Sequence, residues 1–132
     1  MSTLKVNTVQ HNTSGFNNVV AHTDGAGTVN AAHCRAWVNF DGTGTVAIRA
    51  QFNVSSITDN GTGQYTVNFS SSMSDANYAA VGMGGDIQNI RPYIVDAYSY
   101  SSGSLAMASH LVDSSGPGFY WDHANISIAI FR

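Results

Sequence analysis

A chain of 132 residues is the size of one domain. Its hydrophobic content of 43% suffices for a core, yet only 10% of its residues are charged, against roughly a quarter in ordinary soluble domains. A net charge of −3 without a basic run argues against nucleic acid and anionic membrane surfaces as partners. A surface rich in Ser, Thr, Asn and Gly is either hydrated through neutral groups or covered by other subunits. The lone Cys34 has no partner for an intrachain disulfide, and its neighbours Ala32, Ala36 and Trp37 predict a buried thiol. No stretch approaches the roughly eighteen apolar residues of a membrane span. The opening MSTLKVNTVQ lacks an apolar h-region and a cleavage site, so no signal peptide is expected and synthesis is assigned to a cytoplasm.

Residues 1–33 read as an extended polar segment with too few apolar side chains to bury a core, and Asp24-Gly25-Ala26-Gly27 reads as a flexible joint. From Cys34 the pattern sharpens. Ala36, Val38 and Phe40 alternate with Trp37 and Asn39, which predicts a strand with one face on a core. Asp41-Gly42-Thr43-Gly44 turns the chain. Val46, Ile48 and Ala50 resume the alternation with Arg49 pointing away, and Phe52 and Val54 extend it. Ser55-Ser56 shifts the phase as a bulge does. Asp59-Asn60-Gly61-Thr62-Gly63 predicts a hairpin centred on Asn-Gly, closed by Tyr65, Val67 and Phe69.

A further strand is expected from Met73 to Met83, broken by Gly84-Gly85. Arg91-Pro92 marks a strand start or an edge, because Pro cannot donate to a ladder. Ile94 to Tyr100 reads as a regular strand with Asp96, Tyr98 and Tyr100 on one face and Tyr93 on the core side. Ser101–Ser104 turns into Leu105, Met107, Ser109 and Leu111. After the loop from Asp113 to Gly118, Ala124, Ile126, Ile128 and Ile130 alternate with Asn125, Ser127, Ala129 and Phe131. Short strands joined by Gly-rich turns predict an all-β chain: an antiparallel β-sandwich head domain over 34–132, preceded by the extended segment 1–33.

Catalytic chemistry finds little support. The eight acids are all Asp, most of them in turn contexts, and Gly-x-Ser-x-Gly is absent, so no enzyme is expected. His11, His22, His33, His110 and His123 lack zinc-ligand spacing, and the side chains of His33-Cys34 and Asp122-His123 should diverge on a strand; no metal and no cofactor are expected. The aromatic supply is more informative. Tyr98, Tyr100, Tyr120 and Trp121 fall in the loop-rich C-terminal half beside Arg91, Asp96, His110 and His123. Aromatic faces flanked by hydrogen-bonding groups suit a sugar ring, and these eight residues are the candidate receptor-binding set.

Three stretches carry a resemblance: STLKVNTVQ at 2–10, AWVNFDGTGTVAIRAQFNVSSITDNGTGQYTVNFSSSM at 36–73, and the terminal ISIAIFR. Over about half the chain they resemble tail-fibre proteins of tailed bacteriophages, including many from cyanobacterial and other aquatic hosts. The resemblance implies a homotrimer with a β-rich head, located on the virion tail. It also implies attachment to a baseplate or tail protein through residues 1–33 and non-catalytic adsorption to a host surface glycan or protein. The spacer between the first two stretches is short for such fibres. A structural head-fibre or capsid decoration protein without receptor binding is therefore the second reading.

Overall fold

A computed structural model describes residues 21–24, 27–30, 33–86, 93–112 and 118–132. The chain divides into two units, Met1–Ala31 and Ala32–Arg132. In the first, β1 (Ala21–Asp24) pairs antiparallel with β2 (Gly27–Asn30), and Asp24 faces Gly27 across the reversal. The middle of the expected joint, Gly25-Ala26, lies outside the described residues.

The second unit holds nine strands: β3 (Cys34–Asp41), β4 (Ala47–Phe52), β5 (Val54–Gly61), β6 (Gln64–Phe69), β7 (Ala79–Gly85), β8 (Tyr93–Tyr100), β9 (Ser104–Leu111), β10 (Phe119–Tyr120) and β11 (Asn125–Phe131). They form two antiparallel sheets, and no described residue is helical. One sheet has the order β4-β3-β11-β7. In the other, β6 and β8 both pair with the same stretch of β9, so they flank it on opposite sides. The short β10 pairs with Leu111 and His110, which β8 also reaches, and therefore continues the line of β6. β5 closes that edge.

The alternation explains why the sheets face each other. Ala36, Val38 and Phe40 of β3 and Ile126, Ile128 and Ile130 of β11 are buried with Tyr65, Val67 and Phe69 of β6 and Leu105 and Met107 of β9. Phe40 and Tyr65 meet edge to face across the gap, their ring centres 5.1 Å apart. Each of the larger aliphatic and Phe side chains among these is worth about 1.5–3 kcal/mol of transfer from water if fully buried, so the shared core is what holds the layers together.

Several local expectations are corrected by the same geometry. The run from Val46 to Val54 is not one strand. Asn53 takes φ 55° and passes the chain from β4 in one sheet to β5 in the other. Its amide donates to the Arg35 and Ser71 carbonyls and its carbonyl accepts from Ser71 N–H, which fixes the corner. The phase shift at Ser55-Ser56 is present as a register shift between Val54 and Ser56. The next hairpin turns two residues later than Asn-Gly: Gly61 faces Gln64 with Thr62-Gly63 between them, and Gly61 and Gly63 hold the positive φ values. Met73 and Tyr78 are buried but precede the strand, which begins at Ala79 and runs through Gly84 and Gly85. Glycine fits there because a Cβ on Gly82 would lie 2.6 Å from Val95.

Cys34 is exposed, against expectation. Ile130 faces Ala36 while Phe131 faces Cys34, so Arg35 is an extra residue. That bulge turns Cys34 from the inner to the outer face.

Candidate functional site

Neutral side chains cover most of the outer face of the sheet containing β9. Asn68 Nδ2 donates to Ser56 and Thr58 across the strands, and Asn60 Nδ2 donates to Thr66. Such groups satisfy one another and leave little to recognise. The exception is the end where β8, β9 and β10 meet.

There the register places Ile94 and Tyr120 on either side of His110, and Asp96 opposite Ala108 one step along. His110 and Tyr120 have ring centres 4.8 Å apart. His110 Nε2 lies 3.5 Å from Asp96 Oδ2, within ion-pair range when the imidazole is protonated. Tyr120 and the neighbouring Trp121 are each about half exposed, at 49% and 48%. Trp121 is fastened by its backbone, whose N–H donates to the Ser109 carbonyl, so its indole is free to face outward. Asp96, His110 and Tyr120 are thus brought together on one surface with Trp121 beside them in sequence.

The remaining expected site residues part company. A register shift between Ala97 and Ser99 makes Tyr98 the bulged residue of β8. Beyond it the faces exchange. Tyr100 stands opposite the buried Leu105 and its ring packs 5.2 Å from Tyr78. Asp96 and Tyr100 therefore do not share a face, although Tyr98 itself is 55% exposed. Tyr93 does take the core side, where its ring meets His123 at 4.3 Å. Arg91 lies outside the described residues.

His123 is fully buried and belongs to the core rather than to a receptor surface. It shares a hydrogen bond with Ser109, also fully buried, and its Nε2 meets no hydrogen-bond partner among the described residues. Burial lowers its pKa below the ordinary value, outweighing the opposing pull of Asp86. The preceding Asp122 accepts from both Gly63 N–H and Tyr65 Oη at 2.6 Å. Burial, then that bond, pushes the Tyr65 hydroxyl far above its usual range. The segment after β10 is therefore pinned inside, and this is what presents Tyr120 and Trp121 at a fixed place.

A second surface was not singled out as a site by sequence. On the outer face of the four-stranded sheet, Phe52, Trp37, Ala129 and Val81 stand in one register row across β4, β3, β11 and β7. Ala50, Asn39, Ser127 and Met83 form the next. Val81 and Met83 are 58% and 77% exposed. A shallow depression of about 400 Å³ lies among Trp37, Val81, Met83 and Ala129. The signal was the same alternation that put Ala36, Val38 and Phe40 inside: it also puts Trp37 outside.

No family model matches this chain, and no curated protein or solved structure matches it at a significant level. The fold and its surfaces define an all-β module of two facing antiparallel sheets.

Proposed function

We propose that this chain is a virion attachment protein. On this reading it is the β-sandwich head of a phage tail fibre that adsorbs without catalysis to a host-surface glycan. The observation that carries the proposal is the surface group formed by Tyr120, His110 and Asp96, with the half-exposed Trp121 next in sequence to Tyr120 and the exposed Tyr98 two residues along β8 from Asp96. Aromatic faces take the C–H side of a sugar ring, while a carboxylate and an imidazole bond its hydroxyls sideways. Their rigid mounting on β8–β10 lowers the entropic cost of binding. The phage-fibre resemblance supports the location on the tail and attachment through residues 1–33. The low charge supports a homotrimer, and three copies of a weak site gain avidity on a repetitive surface.

Adsorption of fluorescently labelled protein to whole cells of a panel of aquatic bacteria tests the reading. Loss of one stacking aromatic costs on the order of 1–3 kcal/mol per site by analogy with base stacking. Tyr120→Ala, Trp121→Ala and Tyr98→Ala are each expected to weaken adsorption at least several-fold with little change in melting temperature. Tyr100→Ala instead lowers the melting temperature, because it strips a ring from Tyr78. Wild-type protein that decorates particles yet binds no host cell that the phage infects would favour the structural decoration reading.

A further inference from the structure

The row Phe52–Trp37–Ala129–Val81, with Met83 at its side, lies on the outer face of the sheet, away from the core. Exposed apolar side chains scattered singly are ordinary, but a contiguous patch of this kind marks a contact. With strands about 4.8 Å apart and about 3.3 Å of rise per residue, the four-stranded face projects roughly 450 Å². A stable protein interface buries roughly 800 Å² per partner, so this face is a large share of one.

Its chemistry selects the occupant. A sugar would need converging hydrogen-bonding groups, but Asn39 Nδ2 already donates to Ser127 Oγ at 2.8 Å in the floor of the depression. A charged peptide would need countercharges, and none lines it. The charges stand at the ends of the sheet, as two matched pairs with Arg35 of the β3 bulge beside the second. Arg49 bridges Asp41 at 2.7 Å at one end, and Arg132 bridges Asp75 at the other, where β11 finishes beside the start of β7. An apolar band between two neutral Asp–Arg pairs repels no copy of itself, and each pair offers both signs to a facing rim. We infer that the outer face of this sheet is covered by other copies of the same chain, through Trp37, Phe52, Val81 and Met83. The inference deepens the homotrimer part of the proposed function and rests on it; it is independent of receptor binding.

Sedimentation over a dilution series reads it directly. The full-length wild-type chain is expected to sediment as an oligomer. Val81→Glu/Met83→Glu is expected to sediment as a monomer with an unchanged far-ultraviolet circular dichroism spectrum. Phe119→Glu, which adds a charge of the same sign at an exposed apolar residue of the other sheet, is expected to stay assembled, as Val81→Glu alone is not. A wild type that is monomeric throughout the series overturns the inference and the homotrimer together. A double variant that assembles like wild type overturns the inference alone. Should the double variant lose its fold, Met83→Cys in a Cys34→Ser background decides. A short bifunctional maleimide should couple the chains in pairs; single chains only would overturn the shared face.

Discussion

His123 shows how one residue ties the candidate surface to the core. Its carbonyl accepts from Gly42 N–H, its ring bonds Ser109, and the next two residues back carry Asp122 and Trp121. Facing the imidazole are Ser109 on β9, Tyr93 on β8, and the carboxylates of Asp86 and Asp122. Burial is the largest influence on its protonation and lowers the pKa from the ordinary 6.5. The native imidazole therefore stays neutral where the unfolded chain has begun to take up a proton. As pH falls through 6.5 toward the native pKa, the unfolded state binds more protons and stability is lost; above that window the contribution is complete. Melting temperature measured against pH should fall more steeply across this interval in wild type than in His123→Asn, whose side chain does not titrate. Equal slopes would mean that another histidine sets the dependence. Because Tyr120 and Trp121 precede this anchor, their presentation should loosen over the same interval.

The elements were legible in the sequence wherever alternation was uninterrupted. β3, β6 and β11 bury alternate residues as the pattern of Ala36, Val38 and Phe40, of Tyr65, Val67 and Phe69, and of Ile126, Ile128 and Ile130 demands. What the pattern did not disclose are the single-residue insertions. Arg35 on β3 and Tyr98 on β8 each shift the register by one, which sends Cys34 to the outer face and sets Tyr100, still partly exposed, opposite Leu105. A bulge leaves no compositional mark, since the extra residue sits in a run of ordinary strand formers. For the same reason Asp96 and Tyr100, which regular alternation would put on one face, stand on opposite faces, although Tyr100 keeps 39% of its surface exposed. The switch between sheets at Asn53 had a signal that alternation masked: Asn tolerates the left-handed conformation better than most residues. Asn53→Ala loses both the side-chain bonds and that tolerance, and is expected to cost about 1–3 kcal/mol through the unpaired groups alone. Asn53→Gly retains the conformation and loses only the bonds, so chemical denaturation should rank it between wild type and the alanine variant. A glycine variant no more stable than the alanine variant would show that the bonds, not the backbone, hold the corner.

At the scale of the molecule, the core formed by the described residues lies on one side of the division at Ala31. Among the described residues, every member of the buried apolar cluster lies between Ala36 and Ile130, and every strand of both larger sheets belongs to the second unit. Cooperative folding requires only that this cluster form, because it supplies the apolar burial that offsets chain entropy. The boundary matters to within a residue or two. His33 accepts a hydrogen bond from Arg132 N–H at 3.2 Å, which ties the start of β3 to the end of β11. Deletion of residues 1–31 keeps that bond, whereas deletion through 33 removes its acceptor. The 32–132 fragment is therefore expected to melt in a single transition with a β-type circular dichroism spectrum. The 34–132 fragment should melt a few degrees lower, a shift of the size that roughly 1 kcal/mol produces in a domain of this length. If copies meet through Trp37, Phe52, Val81 and Met83, the shorter chains should also sediment like the full-length protein, since the whole face belongs to the retained unit. A fragment that unfolds would place part of the folding core in residues 1–31. A fragment that folds but falls to monomers would move the contact between copies away from the sheet and into the first unit.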